Sequence, residues 1–140
     1  MQERHNDATY NRPYGERPID APVVKIDLHA YTQQIKDENA WRKNDRNAIT
    51  VFKTPKMHIV LIALHKHAEL LPQVSESVIC VQVLDGHISF ITDGARNEVK
   101  AGNIITLHEN ISYNIVAEEE STFLLTMSGL TGKEELFLKS

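Results

Sequence analysis

Seven histidines supply most of the groups in this 140-residue sequence that could do chemistry near neutral pH. Two of them stand two residues apart, in the run His65-Lys66-His67. On a β-strand, residues at this spacing share one face, so the pair could chelate a divalent metal ion. A bare His-x-His is also typical of an exposed strand end, and both interpretations stay open. His58 falls on the opposite face of the same predicted strand and therefore cannot complete that site.

The remaining reactive side chains are isolated. His108 beside Glu109 has the composition of an acid–base pair, and a surface position is the favoured interpretation. His87 directly follows a turn glycine and is expected to be exposed. Cys80 is the single cysteine, so it can form neither an internal disulfide nor a CxxC-type zinc cluster. It lies in an apolar run, where a buried and inert thiol is expected.

Composition excludes several classes of partner. There are 15 Lys and Arg against 19 Asp and Glu, a formal charge of −4, with no basic run to attract nucleic acid. The longest apolar run, Ile59 to Leu64, is too short to cross a bilayer, and residues 1–22 lack the apolar core of a secretion signal. We therefore predict a protein of the cytoplasm that binds neither nucleic acid nor membrane.

A polar N-terminal arm precedes the helix and strands that must position the histidines and the other reactive side chains. Residues 1–22 are rich in charge and proline, and we expect them to form a flexible or extended arm before a single domain at 23–140. Asp27 can cap a helix, and Leu28, Tyr31 and Ile35 follow at helical spacing. One short helix is predicted there.

From residue 48 to about 128 the pattern becomes all-β. Runs of β-type residues bounded by turns predict about eight strands. These are Ala48 to Lys53, Met57 to His67, Val78 to Leu84, His87 to Thr92, Arg96 to Val99, Ile104 to Leu107, Ser112 to Val116 and Thr122 to Met127. Asp85-Gly86 and Asp93-Gly94 predict tight hairpin turns. Thr131 and Glu134 open either a final helix or a final strand.

The unpaired edges of an antiparallel sheet promote aggregation, and a closed barrel or a double sheet avoids them. A jelly roll or small barrel therefore fits this pattern. Apolar residues of these strands are predicted to form the core or an interface. They are Val78, Val81, Val83, Ile88, Phe90, Ile104, Leu107, Ile115, Phe123 and Leu125.

The segment VQVLDGHISFITDGARNEVKAGNIITLHENISYNIVAEEESTFLLTM resembles a small single-domain cupin of the RmlC-like jelly-roll superfamily. The resemblance covers roughly residues 48–127. The family carries two motifs, G-x5-H-x-H-x3,4-E-x6-G and G-x5-P-x-G-x2-H-x3-N. In the family, the three histidines and the glutamate hold one metal ion inside a β-barrel. The resemblance implies a cupin-type jelly roll.

The resemblance also implies which side chains stand at the metal-binding positions. With Gly86 as the final glycine of the first motif, the family's glutamate falls at Ile79 and its His-x-His at Gln73 and Ser75. In the second motif the histidine falls at Tyr113. Neutral oxygens, an isoleucine and a phenol with a pKa of about 10 make a poor set of ligands for a divalent metal. We therefore expect no metal and no other cofactor at this position.

Gln73, Ser75, Ile79 and Tyr113 are instead expected to line a site for a neutral or weakly polar small molecule, or to hydrogen-bond one another in a filled barrel. Small cupins commonly pair through an outer sheet, so the resemblance implies a homodimer, over which the arm is expected to drape. Function is thus predicted as binding, sensing or a structural dimer.

Two enzymatic alternatives stay open. One is a metal-dependent oxygenase or isomerase that uses a shifted site at His65 and His67, with His108 as a further ligand. The other is metal-independent and resembles sugar epimerases of the same superfamily, in which a histidine and a tyrosine move protons. Tyr113 is present, but no basic partner for it is evident from the sequence.

Overall fold

The computed structural model describes residues 3–9, 12 and 15–129. Within them the chain forms two helices and eleven strands. The helices are α1 (Leu28–Asp37) and α2 (Asn39–Lys43); the strands are β1 (Arg4–Asn6), β2 (Arg17–Asp20), β3 (Arg46–Lys53), β4 (Met57–Leu64), β5 (Glu69–Val74), β6 (Val78–Asp85), β7 (His87–Thr92), β8 (Ala95–Lys100), β9 (Ile104–Leu107), β10 (Ser112–Ala117) and β11 (Ser121–Ser128). The predicted final helix or strand after Thr131 lies outside the described residues.

Nine of these strands form two antiparallel sheets that face each other. The four-stranded sheet has the order β5-β10-β7-β8, and the five-stranded sheet has the order β3-β4-β11-β6-β9. Strands that are neighbours in space are mostly not neighbours in sequence, as in a jelly roll. The all-β jelly-roll prediction is confirmed. The extra strand is β5, whose sequence ELLPQV contains Pro72 and lacks alternation, so it escapes a period-2 search.

The main core fills the space between the two sheets. Alternate residues of the strands point inward, among them Val60, Ile79, Phe90, Ile115 and Phe123, each 3% exposed or less. Two of the residues predicted for the core or an interface, Val78 and Ile104, lie outside the core and are 40% and 61% exposed. Val78 is one position from Ile79, and Ile104 is three positions from Leu107, and both of these neighbours face the core. Because successive side chains of a strand point to opposite faces, Val78 and Ile104 lie on the outer face of the five-stranded sheet.

A second core lies where the helices cover the outer face of that sheet. Asp27 caps α1, as predicted, by accepting a hydrogen bond from the Ala30 backbone N–H. Ile35 and Trp41 pack on the sheet with Leu61. The predicted single helix is two helices, because Glu38 adopts an extended backbone conformation between them.

The N-terminal arm contains a small antiparallel pair, β1 with β2. Arg17 is buried, and its guanidinium donates to the Thr50 carbonyl from Nε at 2.9 Å and from Nη2 at 2.7 Å. Burial lowers the pKa of Arg17 from its usual value. These hydrogen bonds hold β2 against the edge strand β3. The low apolar content of residues 1–22 did not predict this packing.

The two Asp-Gly pairs have different roles. Asp93-Gly94 joins β7 to β8 in a two-residue hairpin, as predicted. The prediction of a hairpin at Asp85-Gly86 is wrong, since β6 belongs to the five-stranded sheet and β7 to the four-stranded sheet. Gly86 does have the positive φ expected, +90°, but it turns the chain from one sheet into the other. None of the helices among the described residues is long and apolar enough to span a membrane.

Candidate functional site

One end of the barrel gathers polar side chains from both sheets. On the four-stranded sheet, Gln73 of β5 lies directly across from Tyr113 of β10. On the five-stranded sheet, His58 of β4 and Ile79 of β6 flank Met127 of β11 in one row. The loop between β5 and β6 joins the Gln73 end of one sheet to the Ile79 end of the other, so the two rows lie at the same end. We call this end, defined by Gln73, Tyr113, His58 and Ile79, the mouth.

The four predicted site residues differ in what they contribute there. Tyr113 is 2% exposed, and its ring stacks on Phe90 with centroids 5.2 Å apart and planes 7° apart. Ile79 is buried in the interior and offers only apolar surface. Ser75 lies in the loop, where its hydroxyl accepts from the Ser77 backbone N–H at 2.9 Å and its carbonyl accepts from the Asn110 N–H at 2.7 Å. Ser75 therefore shapes the loop that joins the sheets.

His58 is the mouth residue that the sequence interpretation missed. It is 1% exposed and shares the inward face of β4 with Val60, Ile62 and Leu64. Neither His58, Ser75 nor Tyr113 is without a partner. The signal was available in the sequence, because a histidine in phase with the apolar residues of a strand belongs on its buried face.

His65 and His67 do not share a strand face, since β4 ends at Leu64. His65 stacks on Trp41 with ring centroids 3.5 Å apart, and its Nε2 lies 2.8 Å from the Trp41 carbonyl. His67 is exposed, with a φ of +73° that turns the chain. The prediction of a strand through His67 is therefore wrong, because His65 leaves the sheet to pack against α2.

The donors at the mouth do not fit the metal that the fold family implies. His58 brings a single imidazole, whereas Gln73 and Ser75 carry neutral oxygens, Ile79 carries no donor, and Tyr113 would first have to lose its phenolic proton. Across residues 3–9, 12 and 15–129, no group of three His, Cys, Asp or Glu side chains is placed to hold a metal ion.

The other histidines lie away from the mouth interior. His108 is exposed, as predicted, with its Nδ1 3.3 Å from Glu109 Oε1. His87 was expected to be exposed but is partly buried, because it hydrogen-bonds to Glu98 on the neighbouring strand β8. Cys80 is partly buried on the outer face of β6 rather than in the core, and burial raises the pKa of its thiol. A less reactive thiol follows, as expected.

A hydrogen-bonded carboxylate cluster occupies the outer face of the four-stranded sheet. Ser89 Oγ lies 2.7 Å from Glu118 and 3.1 Å from Glu98, and Arg96 bonds to both carboxylates. The hydrogen bond from His87 is the largest cause that lowers the pKa of Glu98. The bond from Ser89, followed by that from Arg96, lowers the pKa of Glu118. These groups satisfy one another and tie β7, β8 and the end of β10 together.

This cluster predicts an acid-sensitive contribution to stability. A carboxylate with a lowered folded-state pKa stabilises the fold above its ordinary pKa of about 4.3, and that contribution is lost as pH falls further. Urea unfolding across this range should show a fall in the free energy of unfolding that is flattened in Glu98→Gln/Glu118→Gln. The exposed neighbour Glu119→Gln is the control and should keep the wild-type profile. An unchanged profile in the double variant would contradict this assignment.

An open groove of about 500 Å³ runs along the rim of the mouth. Pro72, Thr92, Asp93, Ile111 and Tyr113 contribute to its walls. Thr92 lies across from Tyr113 on the neighbouring strand, and the groove extends from them to Ile91 and Asn114 on the outer side of the four-stranded sheet.

Comparison with known proteins shows similarity in structure alone. No model of a known protein family matches the sequence, and no curated protein sequence matches it. A cupin superfamily protein from Desulfitobacterium hafniense superposes with a TM-score of 0.60 at 10% identity, over 62% of this chain and 80% of that chain. The conserved SPY1581 protein of unknown function from Streptococcus pyogenes gives 0.64 at 22% identity, over 81% and 93%. A salicylate 1,2-dioxygenase from Pseudaminobacter salicylatoxidans gives 0.57 at 14% identity, over 66% of this chain and 29% of that chain.

Proposed function

This chain has a cupin-type fold, and on that premise we propose that it binds a small, neutral or weakly polar organic molecule at the mouth of its barrel without a metal ion. The observation that carries the proposal is the pairing of Gln73 with Tyr113 on one sheet, at the same end of the barrel as the row of Ile79, Met127 and His58 on the other. An amide, a phenol and one imidazole beside the apolar Ile79 and Met127 match an uncharged ligand with a few polar groups.

The groove beside Tyr113 supports this proposal. Its volume lies within the range of roughly 300–1,000 Å³ that small-molecule sites occupy. It mixes the apolar Pro72 and Ile111 with the polar Thr92 and Asn114, so it can contact a ligand of mixed character. Cupin-type folds serve many functions, so the choice among them depends on the site residues.

The binding proposal predicts a specific loss in two variants. In protein purified without a histidine tag, elemental analysis should find no stoichiometric metal, and a ligand-observed NMR screen of uncharged compounds should find binders. Gln73→Leu and Tyr113→Phe should each weaken the best binder about fivefold, because each removes one hydrogen bond worth about 1 kcal/mol. Gln33→Leu, the same change at an exposed position of α1, should bind normally. Stoichiometric metal at the mouth, or unchanged affinity in both variants, would overturn the proposal.

A metal-independent enzyme is the second candidate, and the position of His58 favours it. His58 supplies, in the interior, the imidazole that a tyrosine-assisted proton transfer needs. If the protein moves a proton to or from carbon, Tyr113→Phe and His58→Asn should each abolish turnover while the far-ultraviolet circular dichroism stays native. Binding without chemistry predicts no turnover to lose.

The metal-dependent alternative at His65 and His67 is distinguished by the same elemental analysis. It requires stoichiometric metal that disappears on replacing both histidines by alanine. The contact of His65 with Trp41 leaves its Nε2 engaged with a backbone carbonyl, so we do not favour this alternative. Cytoplasmic residence remains part of the proposal, in keeping with the lone Cys80.

We further propose that two copies pair through the outer face of the five-stranded sheet. Near the β9 edge this face carries Val78, Cys80, Gln82, Ile104 and Thr106, none of which is charged. An uncharged face beside an edge strand can pack against its own copy across a two-fold axis.

A charge placed on this face should separate the dimer. Ile104→Lys is expected to elute from gel filtration as a monomer, because a lysine at the centre of the interface must be desolvated. Leu71→Lys, an equally exposed change on the other sheet, should leave the dimer intact. Deleting residues 1–8, which keeps Arg12 and Arg17 and their bonds to the same chain, should weaken the dimer if the arm drapes over the partner. A monomeric wild type would contradict the proposal.

A further inference from the structure

A β-bulge places a lysine beside His58 at the mouth. The pairing of β3 with β4 shifts by one residue after Thr50, so that Lys53 lies directly across from His58. In a regular pairing, Phe52 would lie across from His58 instead. Bulges are frequent next to functional sites, where they redirect a side chain. This bulge therefore places a primary amine, in the position of an apolar ring, next to the buried imidazole.

Lys53 shares the inward face of the sheet with His58. Residues directly across from each other on antiparallel strands point to the same face, with Cβ atoms about 4.5–5.5 Å apart. Lys53 is partly buried, whereas Lys56 in the following turn is exposed. Hydrogen bonds hold that turn, since the Thr54 N–H donates to the Met57 carbonyl at 2.9 Å and Thr54 Oγ1 accepts from the Met57 N–H at 3.1 Å. Two lysines close in sequence therefore have different surroundings, one at the mouth and one in solvent.

The mouth thus combines a primary amine with two groups that can transfer protons. Packed sheets lie about 10 Å apart, so a small molecule between them can contact His58 on one sheet and Tyr113 on the other. Lysine amines form imines with aldehydes and ketones, and this reaction requires proton transfer at the carbonyl oxygen. We propose that Lys53 captures an uncharged aldehyde or ketone as a reversible imine, with His58 and Tyr113 transferring the protons. This inference rests on the proposed function and names the class of its ligand.

Imine formation at this site needs no further reactant. The uncharged ε-amino group of Lys53 attacks the carbonyl carbon, and the N–C bond forms while His58 takes a proton from the nitrogen and Tyr113 donates one to the oxygen. The protonated His58 then gives its proton to the new hydroxyl group, which leaves as water when the C–O bond breaks. The nitrogen electron pair forms the C=N bond, and the remaining nitrogen proton returns to Tyr113. Water is the sole by-product, and its addition reverses the capture.

Reductive trapping tests the inference in the full, unsubstituted chain. Butanal or benzaldehyde with sodium cyanoborohydride converts each imine to a stable secondary amine, and peptide mass spectrometry assigns that amine to a lysine. Lys53 should react about tenfold faster than Lys56 or more, because neighbouring groups transfer the protons only at the mouth. Lys56 is the matched control within the same molecule. Equal rates at the two lysines, or a faster reaction at Lys56, would overturn the proposal.

Two variants test the proton transfer. His58→Asn and Tyr113→Phe should each slow trapping at Lys53 several-fold and leave the rate at Lys56 unchanged, with native far-ultraviolet circular dichroism. An unchanged rate at Lys53 in both variants would contradict the roles of the imidazole and the phenol. If uncharged compounds bind in a manner that depends on Gln73 but Lys53 shows no preferential trapping, this inference fails while the proposed function stands.

Discussion

Gly86→Ala should lower the free energy of unfolding by about 3 kcal/mol or more, the largest effect expected from a single methyl group in this protein. Gly86 has a φ of +90°, a conformation that strains any residue with a Cβ. A Cβ at this position would also lie 2.4 Å from the Glu120 carbonyl oxygen and 2.7 Å from the Ser121 Cα. Both neighbours are backbone atoms, so they cannot rotate away as a flexible side chain would.

Gly94→Ala separates the two causes of this loss. Gly94 has a φ of +71°, but a Cβ there meets no atom within 4 Å. Its replacement should therefore cost only the conformational strain, about 1 kcal/mol. Urea unfolding followed by Trp41 fluorescence measures both variants. Equal losses would mean that the close approach to Glu120 and Ser121 carries no energy, and the account of Gly86 would be wrong.

The contrast between these glycines shows what local sequence can specify. Asp85-Gly86 and Asp93-Gly94 have the same chemistry and both predict positive φ, which the structure confirms at each glycine. Only the second closes a hairpin. Which sheet a strand joins depends on partners distant in sequence, such as β11 for β6 and β10 for β7. The residue types of a turn therefore predict where the chain bends, but not which sheet the next strand joins.

The positions of the candidate site residues in the fold were predictable to a similar depth. The first motif, aligned on Gly86, predicts Gln73 and Ile79 as site residues, and the second motif predicts Tyr113. The structure places Gln73 and Tyr113 directly opposite each other on neighbouring strands and Ile79 in the interior. Strand phase would also have predicted an inward His58. The departure of His65 from the strand could not be predicted, because it depends on stacking with Trp41 of α2, a tertiary contact that overrides local β propensity.

Arg12→Ala should destabilise the protein by about 3–5 kcal/mol, because it breaks an ion pair that is largely withdrawn from water. The side chains of Arg12 and Glu38 are 14% and 10% exposed. The Arg12 guanidinium donates to both Glu38 carboxylate oxygens at 3.0–3.1 Å and to the Ala48 carbonyl at 2.6 Å. Without Arg12, the Glu38 carboxylate keeps the Asn47 amide at 2.9 Å but loses its charge partner.

The position of the Arg12–Glu38 ion pair means that its loss affects several parts of the structure at once. Glu38 is the extended residue between α1 and α2, so its carboxylate links the arm, the helix pair and the edge strand β3 at one point. Loss of the Arg12–Glu38 ion pair therefore weakens the packing of the arm, of the helix pair and of β3 together. We expect hydrogen exchange at the amides of α1 and β2 to accelerate together in Arg12→Ala.

Two further variants identify the cause. Arg42→Ala removes an exposed arginine from α2 that bonds only to Asn39 among the described side chains, and it should change the free energy of unfolding by less than about 0.5 kcal/mol. Arg12→Met/Glu38→Gln removes both charges and should recover most of the loss, because no uncompensated charge remains buried. If the double variant is no more stable than Arg12→Ala, the loss comes from the missing hydrogen bond to Ala48 and the packing of the arginine stem, and the ion pair is not its source.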